Sequence, residues 1–318
     1  MTENKVPSHR LGGWLVVGMS APFVYLAGRQ NWSALLAAGA VCAVVLWVVI
    51  CRPVSKLLAH PVLCVLEYVF LAVACGVTAN WSCIIWPSGQ GFPVVPLTLL
   101  ALAVASAFWG AGRAAKSIGV LFWLIIILYS IFLGLGIQNI QLQNLAPVWE
   151  IPAPVTWFVL LIPCVIQFIP CGQTKKSKKI LPLVCFAAAV LGIWTEGNLS
   201  ADMAKTAQWP FYEAGESIHL RGVANRLESF MSVGATFGFY GLFSLMLSAG
   251  GHLAESFRKG WGKWGTVLMG ALAGTAVLAR LEIPYFVLSV GAFVLWGALP
   301  VLASLFPEKK SKKEQNNA

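Results

Sequence analysis

Apolar runs recur from one end of this chain to the other, and runs of about 17–25 residues are the length that crosses a bilayer as a helix. Ten are legible: 11–27, 32–51, 61–81, 94–110, 117–137, 153–170, 180–198, 227–250, 264–281 and 284–306. A helix satisfies its own backbone in hydrocarbon, so the pattern predicts an all-α integral membrane protein. One membrane domain then covers 11–306, between tails at 1–10 and 307–318. No hydrophilic stretch is long enough for a separate soluble domain. Composition agrees. Charged residues make up 11% of the chain and hydrophobic ones 58%, whereas soluble domains carry about 25% charged residues. So few charges could not cover a soluble surface. A cytoplasmic globule, a nucleic-acid-binding arm and a disordered chain are excluded. The first run follows Lys5, His9 and Arg10 as a signal peptide would. It lacks a small-x-small cleavage site and a second span follows at once, so it reads as structure.

Lys and Arg in short loops orient such a chain. With both termini in the cytoplasm, seventeen of the 22 basic residues fall on the inner side, and every inner loop or tail has at least two. The outer side holds Arg29, Lys205, Arg221, Arg226 and Arg280. A missed or invented span would flip every later loop and spoil the pattern. The net charge of +10 is therefore an orientation code facing anionic inner-leaflet lipid.

Specific chemistry is sparse. The eight cysteines lie in or beside spans, with only Cys83 clearly in an outer loop, so they read as packing residues. The four histidines show no metal-ligand spacing. Asn31-Trp-Ser, Asn80-Trp-Ser and Asn198-Leu-Ser resemble glycosylation sequons by chance. No phosphate-binding loop or catalytic motif is present, so neither an enzyme nor a cofactor is expected.

Helix interruptions mark solute sites in secondary transporters. Gly18-Met19-Ser20-Ala21-Pro22 sits halfway through the first span. It reads either as an unwound segment offering backbone groups to a ligand or as a proline kink. Ile162-Pro163-Cys164 lies at similar depth in the sixth span, five spans later and crossing in the opposite direction. Paired interruptions of this kind support a five-plus-five inverted repeat.

The eighth span is the most polar. Glu228, Ser232, Thr236, Tyr240, Ser244 and Ser248 recur every four residues. Each step drifts about 40°, so the stripe winds round the helix and either lines a cavity or satisfies itself on backbone carbonyls. Gly234 and Gly238 form GxxxG on another face, and Gly270 and Gly274 repeat it in the ninth span, as packing faces. Glu67 is the one acid well inside a span, a proton-exchange candidate or half of an ion pair with Arg113 or Lys116. The longest outer segment, 199–226, contains a short helix from Pro210 to Arg221, either interfacial or a lid.

Three stretches resemble the B subunit of Gram-positive spore germinant receptors (GerAB-like proteins), within the amino acid–polyamine–organocation transporter superfamily. Gly28-Arg29-Gln30-Asn31-Trp32 looks like the family's Gly-Gln-x-x-Trp turn. The sixth span running into Lys175-Lys176-Ser177-Lys178-Lys179 is similar in placement to its basic inner loop. Trp209-Pro210-Phe211 leading to Asn225-Arg226-Leu227-Glu228 looks like its outer Pro-containing segment followed by Glu-Arg-Leu-Glu. Asn225 stands where the family often has an acid, and Ile162-Pro163 where a glycine-containing break is usual.

The resemblance implies a LeuT-like five-plus-five fold with a pocket between the first and sixth helices. That pocket would sense a nutrient germinant, commonly an amino acid, beside A- and C-type subunits in the inner spore membrane. By carry-over, Gly18, Met19, Ser20 and Ala21 would offer backbone groups, and Pro163 and Cys164 would mark the opposing break. Ser232, Thr236 and Tyr240 would face the pocket or a vestigial ion site. A germinant sensor, an amino acid permease and a membrane scaffold with a degenerate pocket are the competing expectations.

Overall fold

The computed structural model describes residues 6–26, 31–37, 40–41, 44, 61–85, 93–147, 180–207, 210–216 and 227–299. The described elements are helical: α1 Ser8–Leu26, α2 Pro61–Ile85, α3 Val94–Phe108, α4 Ala111–Gly136 and α5 Ile180–Leu199. Two short helices follow, α6 Ala201–Thr206 and α7 Pro210–Glu216. Then come α8 Leu227–Phe257, α9 Gly262–Leu278 and α10 Tyr285–Ala292, which runs on into a π-helical turn at Phe293–Ala298. Three stretches among the described residues are long and apolar enough to cross a membrane: Val62–Ser82, Ala111–Asn139 and Met231–Phe257.

Helices outlast the apolar runs that announce them. α4 begins at Ala111 rather than 117, so Arg113 and Lys116, expected in a loop, occupy its first two turns. α8 continues to Phe257, seven residues past the expected 250. Helix hydrogen bonding does not stop where hydrocarbon does; the run of apolar residues marks immersion and caps mark the ends. Here the Glu255 carboxylate accepts from the amides of Gly260 and Gly262, at 3.0 and 2.8 Å, and closes the α8–α9 turn. Gly260 has φ +87°, a conformation that suits glycine.

α8 is the axis of the bundle and touches α1, α2, α3, α4, α7 and α9. Small residues set these distances. A Cβ on Gly241 would come within 2.5 Å of Val17, and one on Gly76 within 2.6 Å of Ala276. Gly270 of α9 closes on Val104 of α3, and Gly234 of α8 on Leu128 of α4, so both GxxxG faces serve packing. In lipid there is no hydrophobic gain in joining two apolar helices, and such close approach supplies dispersion contact instead.

Residue pairs across these seams give helix directions. Gly13 meets Phe122 and Ser20 faces Tyr129, so α1 and α4 run parallel. Tyr68 donates to the Gly265 carbonyl and Asn80 to that of Leu281, so α2 and α9 are parallel. Trp194 donates to Leu133 O and Gln141 N to Gly197 O, so α4 and α5 are parallel. Val104 with Gly270 and Leu97 with Gly274 make α3 and α9 antiparallel. α8 runs opposite to α1 and α9. Among the described helices, α1, α2, α4, α5 and α9 therefore share one direction, and α3 and α8 take the other.

Candidate functional site

The stretch read as either an unwound segment or a proline kink is not unwound. Gly18 through Pro22 lies within continuous helix, with Gly18, Met19, Ser20 and Ala21 all buried. Pro22 costs one intrahelical bond, yet the helix continues past it to Leu26. A Cβ on Gly238 would strike Ser20 Oγ and reach Ala21 N at 2.7 Å, and one on Gly18 would reach Leu242 Cα at 3.3 Å. Ser20 donates to the Val17 carbonyl at 2.6 Å, and Trp14 Nε1 reaches across to Gly241 O at 3.0 Å. The sequence pattern of Gly and Pro signalled small size at a contact, not unwound backbone.

Around Ser20 the seam gathers groups from four helices. Tyr129 of α4 is buried, its hydroxyl directed to Ser20 without a hydrogen bond of good geometry. Its ring meets Phe211 edge-on at 5.9 Å, and Phe211 packs against Trp194 of α5 at 5.2 Å. Phe211 comes from α7, the short helix of the outer segment, and is fully buried with Ala214 beside it. Gly215 of α7 sits against Met231 at the head of α8. α7, at the start of the helix expected over Pro210–Arg221, therefore plugs the bundle above Ser20 and Tyr129. Residues 217–221 of that expectation lie outside the described residues.

The hydroxyl stripe of α8 belongs to a different face. At about 100° per residue, Thr236 and Gly238 lie some 160° apart around the helix. Gly238 and Gly241 face α1, so Ser232 and Thr236 are turned away from Gly18–Ala21, and the described members of the expected set do not converge on one pocket. Thr236 donates to the Ser232 carbonyl at 2.7 Å, the self-satisfying arrangement. Further along, Ser244 Oγ and Ser106 Oγ of α3 are 3.1 Å apart. Tyr240 lines a groove of about 400 Å³ with Ser106, Trp109, Arg113, Ala114 and Ser117. Trp109 also borders a cavity of about 300 Å³, where Ser248, His252 and Thr266 meet Phe108 and Lys263. The Ser248 hydroxyl is buried there with no hydrogen-bond partner. Among the described residues, the stripe lines these two hollows through Tyr240 and Ser248, in its second half.

Among the described residues, two acids are buried rather than one. Glu67 is interior on α2, three residues from Cys64, and borders neither hollow. Arg113, a suggested partner, holds its guanidinium over the Trp109 ring at 5.5 Å, and Lys116 is exposed. Glu196, in the last turns of the seventh apolar run, is 1% exposed. Its carboxylate accepts from the Trp32 amide at 2.6 Å and Asn31 Nδ2 at 3.0 Å, capping the helical segment that starts at 32. Asn31 Oδ1 takes the Ser33 amide at 3.0 Å. Asn31-Trp-Ser is therefore a helix cap, which explains the sequon-like pattern. The signal for Glu196 was an acid in the last turn of an apolar run; its partners, 165 residues earlier, are visible only in the fold. Pro163, Cys164 and the side chain of Glu228 lie outside the described residues.

A bundle of apolar helices that turns its hydroxyls and acids to the interior defines a helical membrane protein. The model of the family described as spore germination protein (Spore_permease) matches residues 45–272, well over half of the chain. The chain belongs to that spore germination permease family. No individually curated protein matches it.

Proposed function

We propose that this protein is the germinant-sensing membrane subunit of a spore nutrient receptor, binding a small solute, an amino acid first among them, and passing its state to A- and C-type partner subunits. Family membership supports the biological role. The observation that carries the binding site is Tyr129: a buried phenol with no hydrogen-bonded partner beside Ser20, under the Phe211 plug. Leaving such a group unsatisfied costs about 1–3 kcal/mol, which a polar ligand at the seam would recover. Because α1 and α8 are in close contact there, a ligand must part them. It shifts the protein towards an opened state only by binding that state better. Withdrawal of α7 is the corresponding movement of a lid.

The ten-span, five-plus-five arrangement with both termini inside belongs to the same proposal, as does residence in the inner spore membrane. Helix directions support it. α4 and α5 are parallel, so an odd number of crossings separates them, as the run 153–170 requires; α1 and α2 stand in the same relation across 32–51.

The test is nutrient-triggered germination of spores carrying Tyr129→Phe, which keeps the ring and removes the hydroxyl. The nutrient concentration needed for half-maximal response should rise about tenfold, equivalent to one polar contact. An unchanged threshold, with the variant present at normal level, counts against this site. A permease is the second reading, favoured by the 300 Å³ cavity that continues the α8 stripe. Saturable uptake of labelled amino acids into proteoliposomes distinguishes it. For Glu67, a proton-exchange role requires that Glu67→Gln alter the pH profile of the response.

A further inference from the structure

The groove beside Tyr240 lies apart from the Ser20–Tyr129 seam, at the end of the bundle where the described basic residues Arg113, Lys116, Arg258, Lys259 and Lys263 collect. It is bounded by the first two turns of α4, the end of α3 and the middle of α8. Arg113 is its one charged lining residue, lying over Trp109; Tyr240 contributes a hydroxyl, and Ser117, whose own hydroxyl donates to the Ala114 carbonyl at 2.8 Å, forms part of the wall. A guanidinium in the first turn of a helix, where backbone amides point outward, is suited to a phosphate: the fork matches the oxygens and the helix end adds favourable field.

The groove does not end in solvent-facing polar surface. From Arg113 and Ser117, the same face of α4 continues through Val120, Leu124, Ile127 and Ile131, at alternating steps of three and four. Each of these four is exposed, Val120 by 73% and Ile127 by 57%. Val120 to Ile131 is about 16 Å at helical rise, close to one leaflet of a hydrocarbon core about 30 Å thick. A phosphate-binding head continuous with a leaflet-long apolar track has the chemistry of one molecule. We infer that this groove is a binding site for an anionic phospholipid of the inner leaflet, its phosphate on Arg113 and Tyr240 beside the Ser117 wall and an acyl chain along Val120–Ile131. The lipid would brace α3, α4 and α8 where they diverge at the hollow.

The test uses the full-length protein purified in a neutral detergent and titrated with phosphatidylglycerol or phosphatidylcholine, bound lipid being counted by native mass spectrometry. Wild type should retain phosphatidylglycerol preferentially. Arg113→Gln should weaken that retention about five- to tenfold, the effect of one interfacial cation. Tyr240→Phe should weaken it less, and Ser117→Leu should block the groove sterically. Lys259→Gln removes equal charge outside the groove and should leave retention unchanged. Equal losses from Arg113→Gln and Lys259→Gln would mean diffuse surface attraction and overturn the site. So would no preference between the two lipids, or glycerol phosphate binding as tightly as the lipid, which would leave the apolar track without a role.

Discussion

α4 and α8 are both long enough to span a membrane, and they are built on opposite plans. In its most apolar stretch α4 buries 22% of its residues, whereas α8 buries 78%. α4 is nonetheless the more hydrophobic of the two. In water the greasiest helix goes to the centre; in lipid the centre is where polar side chains find partners and where small residues permit contact. Hydropathy therefore marks the periphery here. α8 takes the axis with Gly234, Gly238 and Gly241 on one face and serines on another, while α4 presents Val120, Leu124 and Ile127 outward.

The sharpest way to break this contrast is a pair of glycine substitutions. Gly238→Leu drives a side chain into Ser20 and the Ala21 backbone and should cost about 3 kcal/mol, read as loss of the folded monomer on heating in detergent. Gly119→Ala on α4 has nothing within 4 Å and should be neutral or stabilising by up to about 1 kcal/mol through helix propensity. Equal damage from both would refute the distinction between axis and periphery. Next, Glu196→Ala orphans the Trp32 amide and takes one of two acceptors from Asn31 Nδ2, which keeps the Ala146 carbonyl at 3.3 Å. A loss near 2 kcal/mol is expected, with faster hydrogen exchange at Trp32 as the local readout. Ser106→Ala removes the contact with Ser244 and should cost only about 0.6 kcal/mol, the average for interhelical bonds in membranes. Smallest of all, Ile127→Ala on the open face of α4 should stay within about 0.5 kcal/mol by thermal denaturation.

Legibility divided along physical lines. The existence of the described spans and their alternating directions could be read because immersion in hydrocarbon and the Lys/Arg bias act locally along the chain. The GxxxG faces were legible as packing for the same reason: a missing Cβ is a local fact. Gly18–Pro22 was readable as a special segment, unwound or kinked, but the choice was not, since whether a helix unwinds at glycine and proline depends on what lies against it. The α8 stripe was visible as a winding row of hydroxyls. Only the neighbouring helices decide that Tyr240 and Ser248 border hollows while Thr236 turns back on its own carbonyl.

Three features had no sequence signal strong enough to find them. Tyr129 is one aromatic among many in an apolar helix, and its isolation beside Ser20 exists only once α1 and α7 enclose it. Phe211 stood out as part of an outer segment, but its depth depends on the gap between Tyr129 and Trp194. Glu196 is one acid at the end of an apolar run, and its capping role exists only once Asn31 and Trp32 meet it.

By itself, the sequence determined that the chain is helical and membrane-borne, because both follow from single runs of residues meeting lipid. The tertiary structure alone decided which helix is the axis, which acid is a cap, and which phenol is left waiting for a partner. Those properties belong to pairs of residues far apart in the chain, and a pair has no energy until the fold brings its members into contact.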